Sequence, residues 1–277
     1  MKTVFVFLFF GVSIIAAPKK LLVLGQKPDG HPPGTHEYMP GARIVKALLA
    51  ERDDVEVTIS QADEPWTEGS KLIAKADCVV LFVNEGGRFI ADDPNRSKAF
   101  ETFTKRGGGF VVYHWGMGAK KVELIGPFLK MFGGCHGGPD RKYTVVKEAK
   151  FQVAAPKHPV MVGIQSFELP FEEFYYKLKV PKSPKNWTAL VQVPIEGSVE
   201  TVGWAWERPD GGRSFGFSGL HFHVNWRHEQ YQRLIAQGVL WSLKLSVPKG
   251  GISVKLDPKV IDLNPRQGQR KGLGKFR

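Results

Sequence analysis

The residues of this chain able to do chemistry are imidazoles and carboxylates set among glycines and aromatics. Of eight histidines, His36 stands in GTHEY, His114 in VYHWG, His136 in GCHGG, and His221 and His223 in GLHFHVNW. If the last segment is extended, residues two apart share a face, so His221 and His223 are expected to present two imidazoles together. That is a common way to hold a metal, and the alternative is one contacting histidine beside a structural neighbour. FELPFEEFYY supplies Glu168, Glu172 and Glu173. Adjacent strand residues face opposite ways, so at most one of Glu172 and Glu173 can enter a shared crevice. Glu37 and Tyr38 follow His36 directly, and Glu85 stands in FVNEGG. Carboxylates near imidazoles can act as general acid and base or complete a metal shell, or they can only cap a loop. The candidate catalytic set is His114, Glu172, Glu173 and His221, and the candidate metal ligands are His114, His221 and His223. Mixed nitrogen and oxygen donors suit a divalent zinc, manganese or iron without choosing among them. No other cofactor is indicated, and no local H-E-x-x-H signature supports the metal. His158, before Pro159, reads as part of a turn, and His31 and His228 as surface or helix-start residues.

Groups so far apart in sequence need a scaffold that gathers loops. GGGFVVYHWGMG (107–118) is an apolar run bounded by glycines, a buried parallel strand that ends on His114. KKLLVLG, DVEVTIS and ADCVVLFVN read as further strands, and GARIVKALLAE and NRSKAFETFTKR as helices between them. Alternation at this spacing predicts an α/β fold with a doubly wound, mostly parallel sheet. Loops at the carboxyl ends of such strands form the ligand crevice. After residue 140 the β-rich segments KYTVVKEAKFQVA, NWTALVQVP, ETVGWAWE and RSFGFSG predict an added antiparallel extension, and HEQYQRLIAQGVLWSLKL (228–245) a closing helix. The expected organisation is a signal peptide over 1–17, one domain over 18–247 and a basic irregular tail over 248–277.

Residues 1–17 carry one lysine, an apolar run and two closing alanines, the layout of a secretory signal peptide. A periplasmic or extracellular location follows. An apolar run of about 13 residues is short of the ~20 a spanning helix needs, so no stable membrane insertion is expected after cleavage. Two cysteines make no disulfide framework. The net charge of +12 is spread along the chain without interleaved stacking aromatics, and no nucleic-acid partner is expected. G-x-G-x-x-G before a helix and G-x-S-x-G are both absent, which disfavours dinucleotide and serine-nucleophile chemistry. Oligomeric state is not legible.

HEY after the first strand, KRGGGFVVYHWG, HPVMVGIQSFELPFEEFYYKLK, and GRSFGFSGLHFH leading to YQRLIAQGVLWSL occur in an order that resembles the ThuA-like (trehalose utilisation) family. That family lies in the class I glutamine amidotransferase-like superfamily, and the resemblance implies its flavodoxin-like sheet. It also implies that His114 stands where an amidotransferase has its cysteine nucleophile, and that the downstream His-x-Glu falls on His221-Phe222-His223 with the acid missing. An imidazole cannot form the thioester of glutamine hydrolysis, so that chemistry is expected to be lost. The resemblance further implies a small-molecule carbohydrate, a trehalose-type glycoside or an oxidised sugar. His36, Glu37, Tyr38, Trp115, His136 and Trp226 are the candidate substrate contacts, and Tyr38, Trp115, Tyr175 and Trp226 would stack on sugar rings or equally lie in the core. The leading expectation is an exported carbohydrate-processing enzyme. The alternative is a non-catalytic sugar-binding module on the same fold.

Overall fold

The computed structural model describes residues 17–182 and 185–263. Residues 1–16 of the expected signal peptide and the basic run RQGQRKGLGKFR lie outside the described residues. Among those described, no helix is long and apolar enough to cross a membrane.

The chain alternates β1 (Lys19–Gly25), α1 (Tyr38–Leu48), β2 (Val55–Gln61), α2 (Gly69–Lys75) and β3 (Cys78–Leu81). Then come α3 (Gly86–Ala91), α4 (Pro94–Lys105), β4 (Gly109–Tyr113), the short β5 (Gly118–Ala119), α5 (Val122–Phe132) and the short β6 (His136–Gly137). A β-rich stretch follows, with β7 (Lys142–Val153), β8 (Phe167–Tyr176), β9 (Trp187–Ile195), β10 (Ser198–Glu207) and β11 (Arg213–Phe217). Two helices close it, α6 (Glu229–Ser242) and α7 (Pro258–Ile261).

Nine strands form one sheet in the order β2-β1-β3-β4-β11-β10-β9-β7-β8. The pairings from β2 to β11 are parallel, and those from β11 to β8 are antiparallel. The parallel strands are apolar on both faces because each face meets a helical layer. Leu21 and Val23 of β1, Val80 of β3 and Val111 of β4 join the core beneath α1 and α6. Their alternates Leu22, Leu24, Val79 and Val112 join the core beneath α2, α4 and α5, as a period of two requires. Helix α5 holds Gly126 and Pro127 internally, so its sequence reads poorly as a helix; Phe128, Met131 and Phe132 fasten it by burial.

The residues after 247 do not hang free as far as they are described. The Gln237 side chain donates to Val160 O (2.7 Å) and Val162 O (3.1 Å) and accepts from Ile252 N (2.8 Å). Ile252 and Ile261 are buried against the domain. The segment is irregular because few of its backbone groups have a ladder to join, yet it is packed, and it extends the domain past the expected boundary.

Candidate functional site

Three of the parallel strands deliver a histidine from their carboxyl ends. The loop after β1 carries Asp29, His31 and His36; β4 runs directly into His114; the segment after β11 carries His221. The edge strand β8 brings Glu173 and Tyr175 alongside. His36, His114 and Leu220 have φ values of 51°, 43° and 77°, a left-handed backbone that costs energy in non-glycine residues and concentrates at functional sites. The turn after His114 closes so tightly over β3 that a Cβ on Gly116 would lie 2.4 Å from Leu81 O. The loops after β1 and β11 are joined by His36 N–H to His221 O (3.2 Å) and His223 N–H to Gly34 O (2.8 Å).

The Leu220 bend is held from below by Glu172. Its buried carboxylate accepts from the backbone N–H groups of Leu220 (3.3 Å), His221 (3.2 Å) and Phe222 (3.4 Å). It also accepts from Asn225 Nδ2 (3.0 Å) and the Tyr231 hydroxyl (2.5 Å). Burial raises the pKa of Glu172 despite these donors. The alternation along β8 decides the rest: Glu172 turns into the domain and Glu173 into the crevice.

At the crevice floor His114 Nε2 lies 3.0 Å from both His36 Nε2 and His221 Nδ1. Glu173 Oε1 is 3.4 Å from His221 Nδ1 and 3.7 Å from His114 Nε2. The Tyr175 hydroxyl is 3.1 Å from His114 Nε2. These three nitrogens and the carboxylate oxygen all lie within 4.8 Å of one another. The other ring nitrogens fix the tautomers. His114 Nδ1 is 2.8 Å from the Ser218 carbonyl, which only accepts, so it carries the proton. His36 Nδ1 faces Asp29 Oδ2 at 2.9 Å. Burial pushes the Asp29 carboxyl up, but hydrogen bonds from His31, His36 and Tyr38 outweigh it and hold the carboxyl below its ordinary range. An ionised carboxylate accepts, so His36 Nδ1 also donates, and both Nε2 atoms present lone pairs to the same point.

Burial holds the cluster neutral. It lowers His114 well below the ordinary histidine value, with His36 and His221 adding to the effect. It lowers His221 to about 3 and also lowers His36, against the pull of Asp29. Glu173 moves the other way, to about 7, through burial and the nearby Glu172. A tetrahedral ion with ~2.1 Å bonds would set its ligand nitrogens roughly 3.4 Å apart, so a small widening of the 3.0 Å spacings admits one. The Asp29–His36 pair is the carboxylate–histidine arrangement that orients metal ligands.

His36, His221 and Glu173 of this cluster line the floor of a crevice of about 1300 Å³, with His114 fully buried behind them. His136, set by β6, stacks on Tyr175 with centroids 3.9 Å apart, and Trp115 meets both rings edge-on. Of the residues named from sequence, the structure gathers His36, His114, His221 and Glu173 at the floor and His136 and Trp115 on the wall. Tyr38 is buried and donates its hydroxyl to Asp29 (2.8 Å). Glu37 accepts from Gly34 N (2.9 Å) and so shapes the loop. Glu85 accepts from Lys120 N (2.9 Å).

Several expectations require correction. Glu172, a candidate catalytic residue, is buried behind the crevice as the support of the Leu220 bend. Glu37 and Tyr38, candidate substrate contacts, are buried off the crevice lining. His223 does not share a face with His221, because the chain leaves the extended conformation at Leu220 and enters a 3-10 turn at His223. Its Nε2 donates to Ile261 O (2.7 Å), so it reaches the crevice wall but not the nitrogen cluster. Trp226 is 1% exposed and packs edge-on against Tyr231, a core residue rather than a sugar platform. Asp29 and His31 were missed. His31 stacks on His36 at 3.7 Å and bonds Asp29 (2.7 Å), which raises its pKa. The signal was an acid and two histidines in one Gly/Pro-rich loop leaving a strand's carboxyl end.

Residues 23–242 match the model of the ThuA family, described as trehalose utilisation. No curated protein matches the chain. A ThuA-like protein from Parabacteroides merdae is structurally similar, with a TM-score of 0.62 and 15% identity, over 90% of this chain and 100% of that one. One from Bacteroides uniformis has a TM-score of 0.61 and 15% identity, over 84% and 95% of the respective chains. At that identity the likeness establishes the fold.

Proposed function

The chain belongs to the ThuA, trehalose-utilisation, family, and from that premise we propose that it is an exported enzyme of carbohydrate catabolism acting on a glycoside or an oxidised sugar with a divalent metal. One observation carries this reading: the unprotonated nitrogens of His36 and His114 face the same point as His221 and Glu173. Neutral imidazoles plus one carboxylate are a donor set for zinc, manganese or iron. Bound there, the ion would polarise a sugar carbonyl or hydroxyl oxygen.

The chain's own groups supply the rest. In the metal-free protein burial and the nearby Glu172 hold the Glu173 carboxyl up at about 7, so Glu173 would release its proton near neutral pH on joining an ion at the shared point as the carboxylate. Tyr175 offers a hydroxyl beside the same nitrogens, its ring held between His114 and His136. Trp115 and the exposed Tyr143 give the crevice wall aromatic surface suited to the apolar face of a pyranose. The narrow floor and the roomy crevice suit a substrate held by its outer parts and reacted at one end.

The test is metal analysis of the purified protein together with a turnover screen of disaccharides, aryl glycosides and keto-sugars, with and without added zinc, manganese or iron. Metal-dependent turnover of one sugar class supports the reading. Sugar binding without turnover under every metal would leave the binding-module alternative.

A further inference from the structure

We infer that the crevice carries a subsite for a carboxylate on the sugar, with Arg141 as its cation; the inference rests on the sugar reading of the same crevice. Arg141 precedes β7 and lines the crevice wall. Its Nη1 donates to Gly138 O at 2.9 Å, which anchors one corner of the guanidinium. Among the described residues no carboxylate pairs with it. Asp140, its neighbour in sequence, is bound by Lys179 at 2.5 Å. The other cations of the crevice have partners, Lys120 with Glu85 (3.8 Å) and Arg227 with Asp262 (2.5 Å). Among the described residues Arg141 is therefore the crevice cation without a counter-ion.

A stack of three rings runs from the floor along the same wall. His114 lies against Tyr175 (centroids 4.4 Å, 17°), and Tyr175 against His136 (3.9 Å, 8°). Arg141 and His136, at the far end of that stack, line the same crevice. Arg141 and the floor residues His36, Glu173 and His221 thus line one crevice of about 1300 Å³, roomy enough for a pyranose unit. A planar fork with free N–H donors matches a carboxylate in two-point contact, better than a lysine point charge would. An acidic sugar reacting at the floor would place its carboxylate there, and the overall charge of +12 favours the approach of such a ligand.

The experiment is calorimetric binding of glucuronate, glucose and glucose 6-phosphate to the zinc-supplied full-length protein, in wild type, Arg141→Gln and Arg141→Lys. Wild type should bind glucuronate about tenfold tighter than glucose, as a charge-assisted pair allows. Arg141→Gln should erase that preference with glucose binding unchanged, and Arg141→Lys should keep part of it. Equal binding of glucuronate and glucose to wild type overturns the subsite while leaving the sugar reading standing. A preference surviving in Arg141→Gln overturns it too, since the carboxylate would then sit on the metal. Glucose 6-phosphate binding as tightly as glucuronate replaces the carboxylate site with a general anion site. Binding of none of the three overturns the subsite together with the sugar reading beneath it.

Discussion

His36 Nε2 and His114 Nε2 face each other at 3.0 Å, and neither holds the proton that would bond them. Each imidazole spends its one N–H elsewhere, His114 on the Ser218 carbonyl and His36 on Asp29. Two lone pairs at that distance repel unless a donor such as the Tyr175 hydroxyl, 3.1 Å from His114 Nε2, or a positive centre lies between or beside them. Burial makes a shared proton costly, because it lowers both pKa values. On the proposed reading a divalent cation would resolve the conflict, with His221 and Glu173 already in reach.

Asp29 sets the tautomer of His36 without touching the shared point. Asp29→Asn should weaken zinc binding by about 10- to 100-fold, the usual effect of losing a carboxylate behind a ligating histidine. Competition against a calibrated chelator measures it. An unchanged affinity would mean that His36 needs no orienting charge.

Glu172 acts through the loop that carries His221. Glu172→Ala strands several buried donors and should cost about 3 kcal/mol of stability, while Glu172→Gln, which keeps the shape, should cost less. Urea unfolding of the metal-free variants reads this out. Equal stability of wild type and Glu172→Ala would remove its role as the support of the loop.

The His114 elbow predicts no glutaminase activity. Glutamate release from glutamine should stay at the buffer rate, since an imidazole there cannot form the thioester. Release above that rate that disappears in His114→Ala would contradict the assignment.

Metal-free protein should lose stability on acidification. His36, His114, His136, His221 and His223 are all held below their ordinary value chiefly by burial, His136 and His221 to about 3 and His223 to about 4. Unfolded, they titrate near 6.5. Between those values the unfolded chain binds more protons, so this stability is present above about pH 6.5 and is lost as pH falls, by up to about 1.4 kcal/mol per pH unit for each histidine. Glu173, raised to about 7, and Glu172, also raised, act in the opposite sense, favouring the fold below their folded pKa values. The histidines outnumber them, so the urea midpoint should fall from pH 7 to pH 5. A flat or rising midpoint would contradict the burial of neutral imidazoles.

The parallel half of the fold was legible because its strands are apolar on both faces and its helices amphipathic, and His114 announced itself by ending such a strand among glycines. The antiparallel half could be read only as β-rich texture, since strand order depends on contacts far apart in sequence. The choice between Glu172 and Glu173 was reduced to one by alternation, yet which one faced the crevice needed the register of β8. The His221–His223 pairing failed because the bend at Leu220 is stabilised from a distant strand, by Glu172, and nothing local signals it. Asp29 lies in a Gly/Pro-rich loop without helix or strand period, where His31 reads as a surface residue, and nothing local in the sequence sets Arg141 apart from the other cations.

The central claim is that His36, His114, His221 and Glu173 hold one metal ion, and its most direct test is metal content with thermal stability for wild type and single variants. Wild type supplied with zinc should retain about one ion per chain and melt higher than the metal-free protein. His36→Ala, His114→Ala and His221→Ala should each lose the ion and the shift, Glu173→Gln should bind it more weakly, and His223→Ala should keep it. Wild-type protein that remains metal-free, with melting unchanged by zinc, manganese or iron, would contradict the account.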